Sequence, residues 1–160
     1  MKKQFLFFAA FIFIAAAGVN AQTYQTAFGA KFYAGNGSVG GINIRHSTNE
    51  NTALEGSLLF FNGGGVGLEG LYEYQGAING APGLQYFVGG GAVLGFGGGG
   101  YNNDDHHDGV SFALRLTGGI DYKFPDVPIN VSLGFDPFFY IAPHTGSYLP
   151  LGIGLRYVIN

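Results

Sequence analysis

The sequence predicts an all-β protein: an eight-stranded antiparallel up-and-down transmembrane β-barrel, preceded by a cleavable signal peptide. Three observations predict it. The first is a period of two. Ile129, Val131, Leu133, Phe135, Phe139 and Ile141 alternate with Asn130, Ser132, Gly134, Asp136 and Tyr140. Leu149, Leu151, Ile153, Leu155, Tyr157 and Ile159 alternate with Pro150, Gly152, Gly154, Arg156 and Asn160. Successive side chains of a strand point to opposite faces, so one face here is greasy and the other small, polar or charged. The second observation is charge. Ten ionisable acid or base residues fall in the strand segments, all on the polar parity: Lys31, Arg45, Arg115, Lys123 and Arg156, with Glu55, Glu69, Glu73, Asp121 and Asp136. A charge on a lipid face near mid-bilayer costs about 2–4 kcal/mol, which explains their exclusion from the other parity. The third observation is the N-terminus. Lys2 and Lys3 precede an apolar run from Phe5 to Ala17, and Val19-Asn20-Ala21 offers a small-residue cleavage site. Residues 1–21 are thus the expected signal peptide, and 22–160 the barrel domain.

The apolar run is too short for a helical span, which needs about 18 residues or more. The segment after it holds 139 residues, enough for one domain. It has no cysteine, hence no disulfides and no thiolate chemistry. Five basic against ten acidic residues remain after Ala21, with no basic patch, which argues against a nucleic-acid partner. A soluble exported barrel of the lipocalin type would place its apolar face inside and its charges outside. Only 11% of the chain is charged, too little for such a surface.

Turn residues divide the chain into segments near 24–34, 40–48, 52–61, 66–75, 84–96, 110–124, 129–141 and 149–159. In the first, Phe28, Ala30 and Phe32 face out while Gly29, Lys31 and Tyr33 face in. The second sets Ile42 and Ile44 against Asn43 and Arg45. The third sets Leu54, Leu58 and Phe60 against Glu55 and Ser57, with Leu59 and Phe61 interrupting the polar face. The fourth sets Leu68, Tyr72 and Tyr74 against Glu69 and Glu73. In the fifth, Tyr86, Val88, Leu94 and Phe96 face out, but Phe87 and Val93 face in. In the sixth, Phe112, Leu114, Leu116, Ile120 and Tyr122 oppose Ser111, Arg115, Thr117, Asp121 and Lys123.

Matched signs on the inner parity predict salt bridges, because buried charges need partners. A turn centred on Glu50 sets Arg45 opposite Glu55. A turn centred near Gly63 and Gly64 sets Glu55 opposite Glu73, so that Arg45 would anchor an acidic pair. Barrels of this kind begin and end in the periplasm, so odd connections are extracellular and even ones periplasmic. Tyr72, Tyr74, Tyr86, Tyr122, Phe124 and Tyr157 then form the expected periplasmic girdle, and Phe32, Phe96, Phe139 and Tyr148 serve the other rim. His46 falls on the outward parity near the periplasmic end, in an interfacial structural role.

The signal peptide, the eight short strands and the last strand, Gly152-Ile153-Gly154-Leu155-Arg156-Tyr157, resemble the small outer-membrane β-barrel proteins of the OmpX and OmpA transmembrane-domain type. The stretch Gly119-Ile120-Asp121-Tyr122-Lys123-Phe124-Pro125-Asp126-Val127-Pro128 resembles their sixth strand and tight periplasmic turn. The resemblance covers residues 22–160 as an architecture. It implies insertion by the outer-membrane assembly machinery, which reads the last strand. The family usually ends in an aromatic residue; here the chain ends in Asn160, with Tyr157 the nearest substitute.

Other motifs carry less. Gly95-Phe96-Gly97-Gly98-Gly99-Gly100 matches GxGxxG, but no helix can follow it, so the glycines serve a loop. Asn102-Asn103-Asp104-Asp105-His106-His107-Asp108 could offer carboxylate and imidazole to a divalent cation, yet a solvated extracellular loop accounts for the same residues. His144 and Ser147 share the last extracellular connection, and with Asp136 or Asp108 they could form an acyl-transfer constellation. The reading that follows is a monomeric protein of the bacterial outer membrane, in a Gram-negative cell envelope. It has a structural or surface-interaction role, a filled polar interior and function in its extracellular loops. Its partners are outer-membrane lipids and lipopolysaccharide; no cofactor, metal or catalytic residue is assigned. The alternatives are a lipid A or phospholipid acyl hydrolase or transferase, and a narrow small-molecule conduit.

Overall fold

The computed structural model describes residues 25–35, 37–97 and 109–159. Its strands are β1 (Thr26–Gly35), β2 (Gly37–Asn49), β3 (Thr52–Phe61), β4 (Val66–Ala77), β5 (Leu84–Phe96), β6 (Val110–Lys123), β7 (Ile129–Phe135), β8 (Phe138–Ala142), β9 (Gly146–Tyr148) and β10 (Leu151–Ile159). All pairings are antiparallel, and the sheet closes through β1–β10 and β5–β6. The connections β1–β2, β3–β4, β5–β6 and β8–β9 lie at one end, the upper rim. Those joining β2–β3, β4–β5 and β6–β7 lie at the other, the lower rim.

Ten segments make eight barrel strands, because prolines interrupt two of them. The offset that pairs Leu151 with Phe135 also pairs Tyr148 with Phe138, so β7–β8 and β9–β10 are each one continuous strand. Pro137 and Pro150 lie at the two gaps and have no N–H for the ladder. Their carbonyls still accept, from Leu116 N at 3.1 Å and from Asp136 N at 3.0 Å respectively.

The register fixes the barrel's size. Stepping across the ladder from Ile120 to Leu133, Ile153, Phe32, Gly40, Phe60, Val66 and Phe96 returns to β6 at Val110, ten residues above the start. With a rise of about 3.3 Å per residue and about 4.8 Å between strands, that stagger tilts eight strands by roughly 40° and gives a radius of about 8 Å. Such a barrel is just wide enough for its own side chains to fill it.

The inside-out pattern matches the alternation. Large apolar side chains, among them Phe28, Ile42, Leu58, Leu68, Leu116, Leu133 and Leu155, lie on the outer face. Lys31, Arg45, Arg115, Arg156, Glu55, Glu69, Glu73, Asp121 and Asp136 are buried inside. The tenth strand charge, Lys123, is half-buried at the lower rim, where its ammonium donates to the carbonyls of Phe124 and Val127. Leu59, Phe87 and Val93 point inward as the sequence indicated.

Three expectations need correction. The hairpin at the first connection is tighter than segments ending at 34 and resuming at 40 would make it, since Gly35 already pairs with Gly37. In the β3–β4 hairpin, Glu55 faces Leu71 and Glu73 faces Ala53, so Glu55 and Glu73 are not opposite each other. The cause is the turn. Gly64 N donates to Phe61 O at 3.1 Å, Phe61 N donates to Gly65 O at 2.9 Å, and Gly64 has φ of 89°. A three-residue loop ending in a left-handed glycine moves the register by two, which keeps the parity but changes the partners. Finally, Tyr148 is not in the outer girdle; it is buried inside. Leu149 faces out beyond it, and its ring packs on Phe138 at 5.6 Å between centroids.

Candidate functional site

The alternation that sends every strand charge inward creates one continuous feature. Nine buried charges form a single alternating chain through the barrel. From Glu69 it runs to Arg115 (2.6 Å), Asp136 (3.2 Å), Lys31 (3.5 Å), Glu55 (2.8 Å) and Arg156 (2.6 Å). It continues to Asp121 (3.9 Å), Arg45 (2.6 Å) and Glu73 (2.8 Å). Every interior member bridges two opposite charges. Five carboxylates thus alternate with four cations, and a carboxylate stands at each end.

Neutral donors and acceptors support the chain. Glu69 also accepts from the hydroxyls of Tyr33 (2.9 Å) and Ser57 (2.9 Å). Asp136 accepts from the Thr117 hydroxyl at 2.7 Å. Arg156 donates to Ser132 Oγ (2.9 Å) and to Asn130 Oδ1 (3.2 Å), and Asn130 donates in turn to Asp121. Arg45 donates to Gln75 Oε1 at 3.1 Å, and its guanidinium lies 5.3 Å from the Phe87 ring. Taking ions out of water is costly, and pairing of this kind offsets that cost.

Arg45 faces Glu55 across β2 and β3, yet its closest ion pairs lie elsewhere. It reaches instead to Glu73 on β4 and to Asp121 on β6, and Glu55 is held by Lys31 and Arg156. At a radius of about 8 Å, the far wall is as near to an arginine tip as the adjacent strand. In a double-mutant cycle, Arg45→Met with Asp121→Asn should therefore couple more strongly than Arg45→Met with Glu55→Gln. Groups in direct contact couple by about 0.5–3 kcal/mol. Urea unfolding in lipid vesicles measures both cycles, and a larger coupling to Glu55 would contradict the network.

Above the charges sits an aromatic layer. Tyr33, Val39, Leu59, Val93, Phe138 and Tyr148 form one buried cluster, with Phe61 and Tyr140 packed against it. Arg115 joins the two layers. Its guanidinium stacks 3.8 Å from the Phe138 centroid and donates to the Tyr33 hydroxyl at 2.9 Å. The sequence reading missed Phe138, because it stands beside Pro137, where the reading of the alternation breaks off. Its position two residues after Asp136 carried the signal.

The described upper-rim candidates stand apart from one another. His144 and Ser147 are both exposed, and no hydrogen bond joins them. Asp136 is buried inside and engaged by Arg115, Thr117 and Lys31. Asp108, with the rest of the 102–108 cluster, lies outside the described residues, as do Gly98 to Gly100. Among the described residues no three His, Cys, Asp or Glu side chains gather as metal ligands.

The outer face carries aromatic contacts toward the lower rim: Tyr74 with Tyr86 (6.5 Å), Tyr122 with Phe124 (4.8 Å) and Phe28 with Tyr157 (6.0 Å). Below Phe28 and Ile44, Thr26 and His46 face each other, hydrogen-bonded through Oγ1 and Nδ1 at 2.9 Å.

Solved structures share the fold. One is the N-terminal β-barrel domain of Pseudomonas aeruginosa OprF, at TM-score 0.65 and 16% identity, covering 84% of this chain and 100% of that one. The fold is that of a transmembrane β-barrel. Another is a structure from the de novo design of transmembrane β-barrels, at TM-score 0.60 and 12% identity, covering 87% of this chain and 99% of that one. No protein-family model and no curated protein matches the sequence. The barrel has an apolar outer wall and a charged interior.

Proposed function

We propose that this barrel lies in the outer membrane of a Gram-negative bacterium, with a structural or surface-interaction role carried by its extracellular loops. The charged and aromatic side chains buried inside the barrel are the observation that supports this reading. A nine-charge chain beneath an aromatic layer occupies the lumen, so the loops remain as the surface for recognition. In this reading residues 1–21 are cleaved on export and the upper rim is extracellular. The long 97–109 connection then faces outward, and the chain acts as a monomer. The test is fractionation with conductance. The protein should partition with outer membranes, need detergent for extraction and migrate anomalously when unheated. In planar bilayers it should give no steady current. Soluble recovery would reject the barrel assignment in cells, and sustained conductance would favour the conduit.

The same reading makes no residue catalytic. The engagement of Asp136 inside the barrel supports this, since it leaves His144 without that acid as a partner. Replacing Asn102 to Asp108 with a Gly/Ser linker should preserve folding, because surface loops contribute little to strand pairing. It should also remove any surface binding that depends on the acidic cluster. His144→Ala and Ser147→Ala should leave lipid A and phospholipid acylation unchanged by mass spectrometry. An acyl-chain change requiring both residues would promote the enzyme alternative.

A further inference from the structure

We infer that the outer wall carries a seat for one diacyl phospholipid, with its phosphate at His46 and an acyl chain in the groove above it. The inference rests on the membrane-embedded barrel. The groove has a volume of about 1080 Å³ and lies on the outer wall of β1 to β4, β7 and β10. Its walls include Phe28, Ile42, Ile44, Leu58 and Leu68, with Gly56 among them. The pairing rows climb toward the upper rim in the order β1, β2, β3, β4, as the ten-residue stagger requires. With strands tilted by roughly 40°, a line parallel to the barrel axis gains about two residues for each strand it crosses. From His46 that line passes Ile44's partner, Gly56, and then Leu58's partner, Leu68. Gly70 stands beside Gly56, and a Cβ added there would meet nothing within 4 Å. The wall is therefore open where that line reaches Gly56, and a chain rising from His46 meets the groove there.

The foot of the opening is polar. His46 is exposed, and its Nδ1 is occupied by the Thr26 hydroxyl at 2.9 Å. With that hydroxyl as donor, the ring proton sits on Nε2, the nitrogen turned away from Thr26. A phosphodiester accepts this proton while its chain covers the apolar groove. The occupant assigned is thus a phospholipid of the leaflet at the lower rim. Lipopolysaccharide would belong to the leaflet at the opposite rim.

Native mass spectrometry of the folded barrel tests this, released from detergent micelles titrated with palmitoyl-oleoyl phosphatidylethanolamine. One lipid should be retained per barrel, in preference to diacylglycerol with the same chains. Gly56→Leu and Gly70→Leu should each weaken retention about tenfold by filling the opening. A Cβ at position 56 meets Ile44 only at 3.8 Å, so these variants fold. His46→Phe should abolish the preference for phospholipid over diacylglycerol. Gly118→Leu, on the opposite wall with ordinary contact at 3.7 Å, should change nothing. Equal retention by all variants, a dimer as the retained species, preference for lipopolysaccharide, or equal binding of diacylglycerol to the unchanged barrel would each overturn the seat. Loss of anomalous gel migration in the unchanged protein would instead strike the barrel reading itself.

Discussion

Arg115→Ala should destabilise the barrel by about 3–5 kcal/mol, the cost of leaving buried charges without their partner. The guanidinium serves several groups in the interior at once. It donates to Glu69 at 2.6 Å, to the Asp136 carboxylate at 3.2 Å and to the Asp136 carbonyl at 2.5 Å. It also covers the Phe138 ring. Removing it strands Glu69 at the end of the charge chain and leaves Asp136 with Lys31 alone among the cations. It also opens a cavity beneath the aromatic layer. Urea titration in lipid vesicles, followed by unheated gel mobility, reads the loss. Neutralising the stranded groups should recover part of it, so Arg115→Met with Glu69→Gln and Asp136→Asn should be more stable than Arg115→Ala. A buried charge network replaced as a unit by apolar and neutral groups is often tolerated. A loss below about 1 kcal/mol for Arg115→Ala would place this arginine in a solvated site, where ion pairs contribute little.

The parity of the strands was legible because lipid penalises every error on the outer face. Ile42, Leu58, Leu116 and Leu155 could not exchange places with Arg45, Glu55, Arg115 and Arg156 without several kcal/mol of cost per charge. Partner choice was not legible. Reading along hairpins gives each side chain two neighbours, whereas a ring of about 8 Å radius gives it the far wall as well. Hence Arg45 sits opposite Glu55 in register yet pairs with Asp121. The β3–β4 register depended on one backbone angle, at Gly64, that composition does not encode. Tyr148 suited a girdle by chemistry, and only its position one residue before the outward Leu149 marks it as internal. At the upper rim, nearness in sequence suggested that Asp136 could serve His144. In the structure the strand carries that carboxylate below the aromatic layer, to Arg115 and Thr117.

The interior explains why glycine recurs on the inner parity, and this yields a sharp contrast between two neighbouring positions. Gly91 on β5 faces in, and a Cβ added there would stand 1.9 Å from the Gly70 carbonyl oxygen and 2.9 Å from Leu71 Cα. These are backbone atoms of β4, so the strands would have to part. Gly70 on β4 faces out, where a Cβ would meet nothing within 4 Å. Gly91→Val should therefore break the β4–β5 pairing, which spans Val66–Phe96 to Ala77–Gln85. An overpacked site typically costs about 1–3 kcal/mol, and a closed ring that cannot relax at one seam should lie at or above the upper end. Gly70→Val should fold at least as well as the parent, since a β-branched residue suits an exposed strand position better than glycine. Refolding yield into vesicles, read from the unheated gel species, separates the two. Comparable yields would mean that β4 and β5 can separate at little cost, and the tight seam assigned to this wall would be withdrawn.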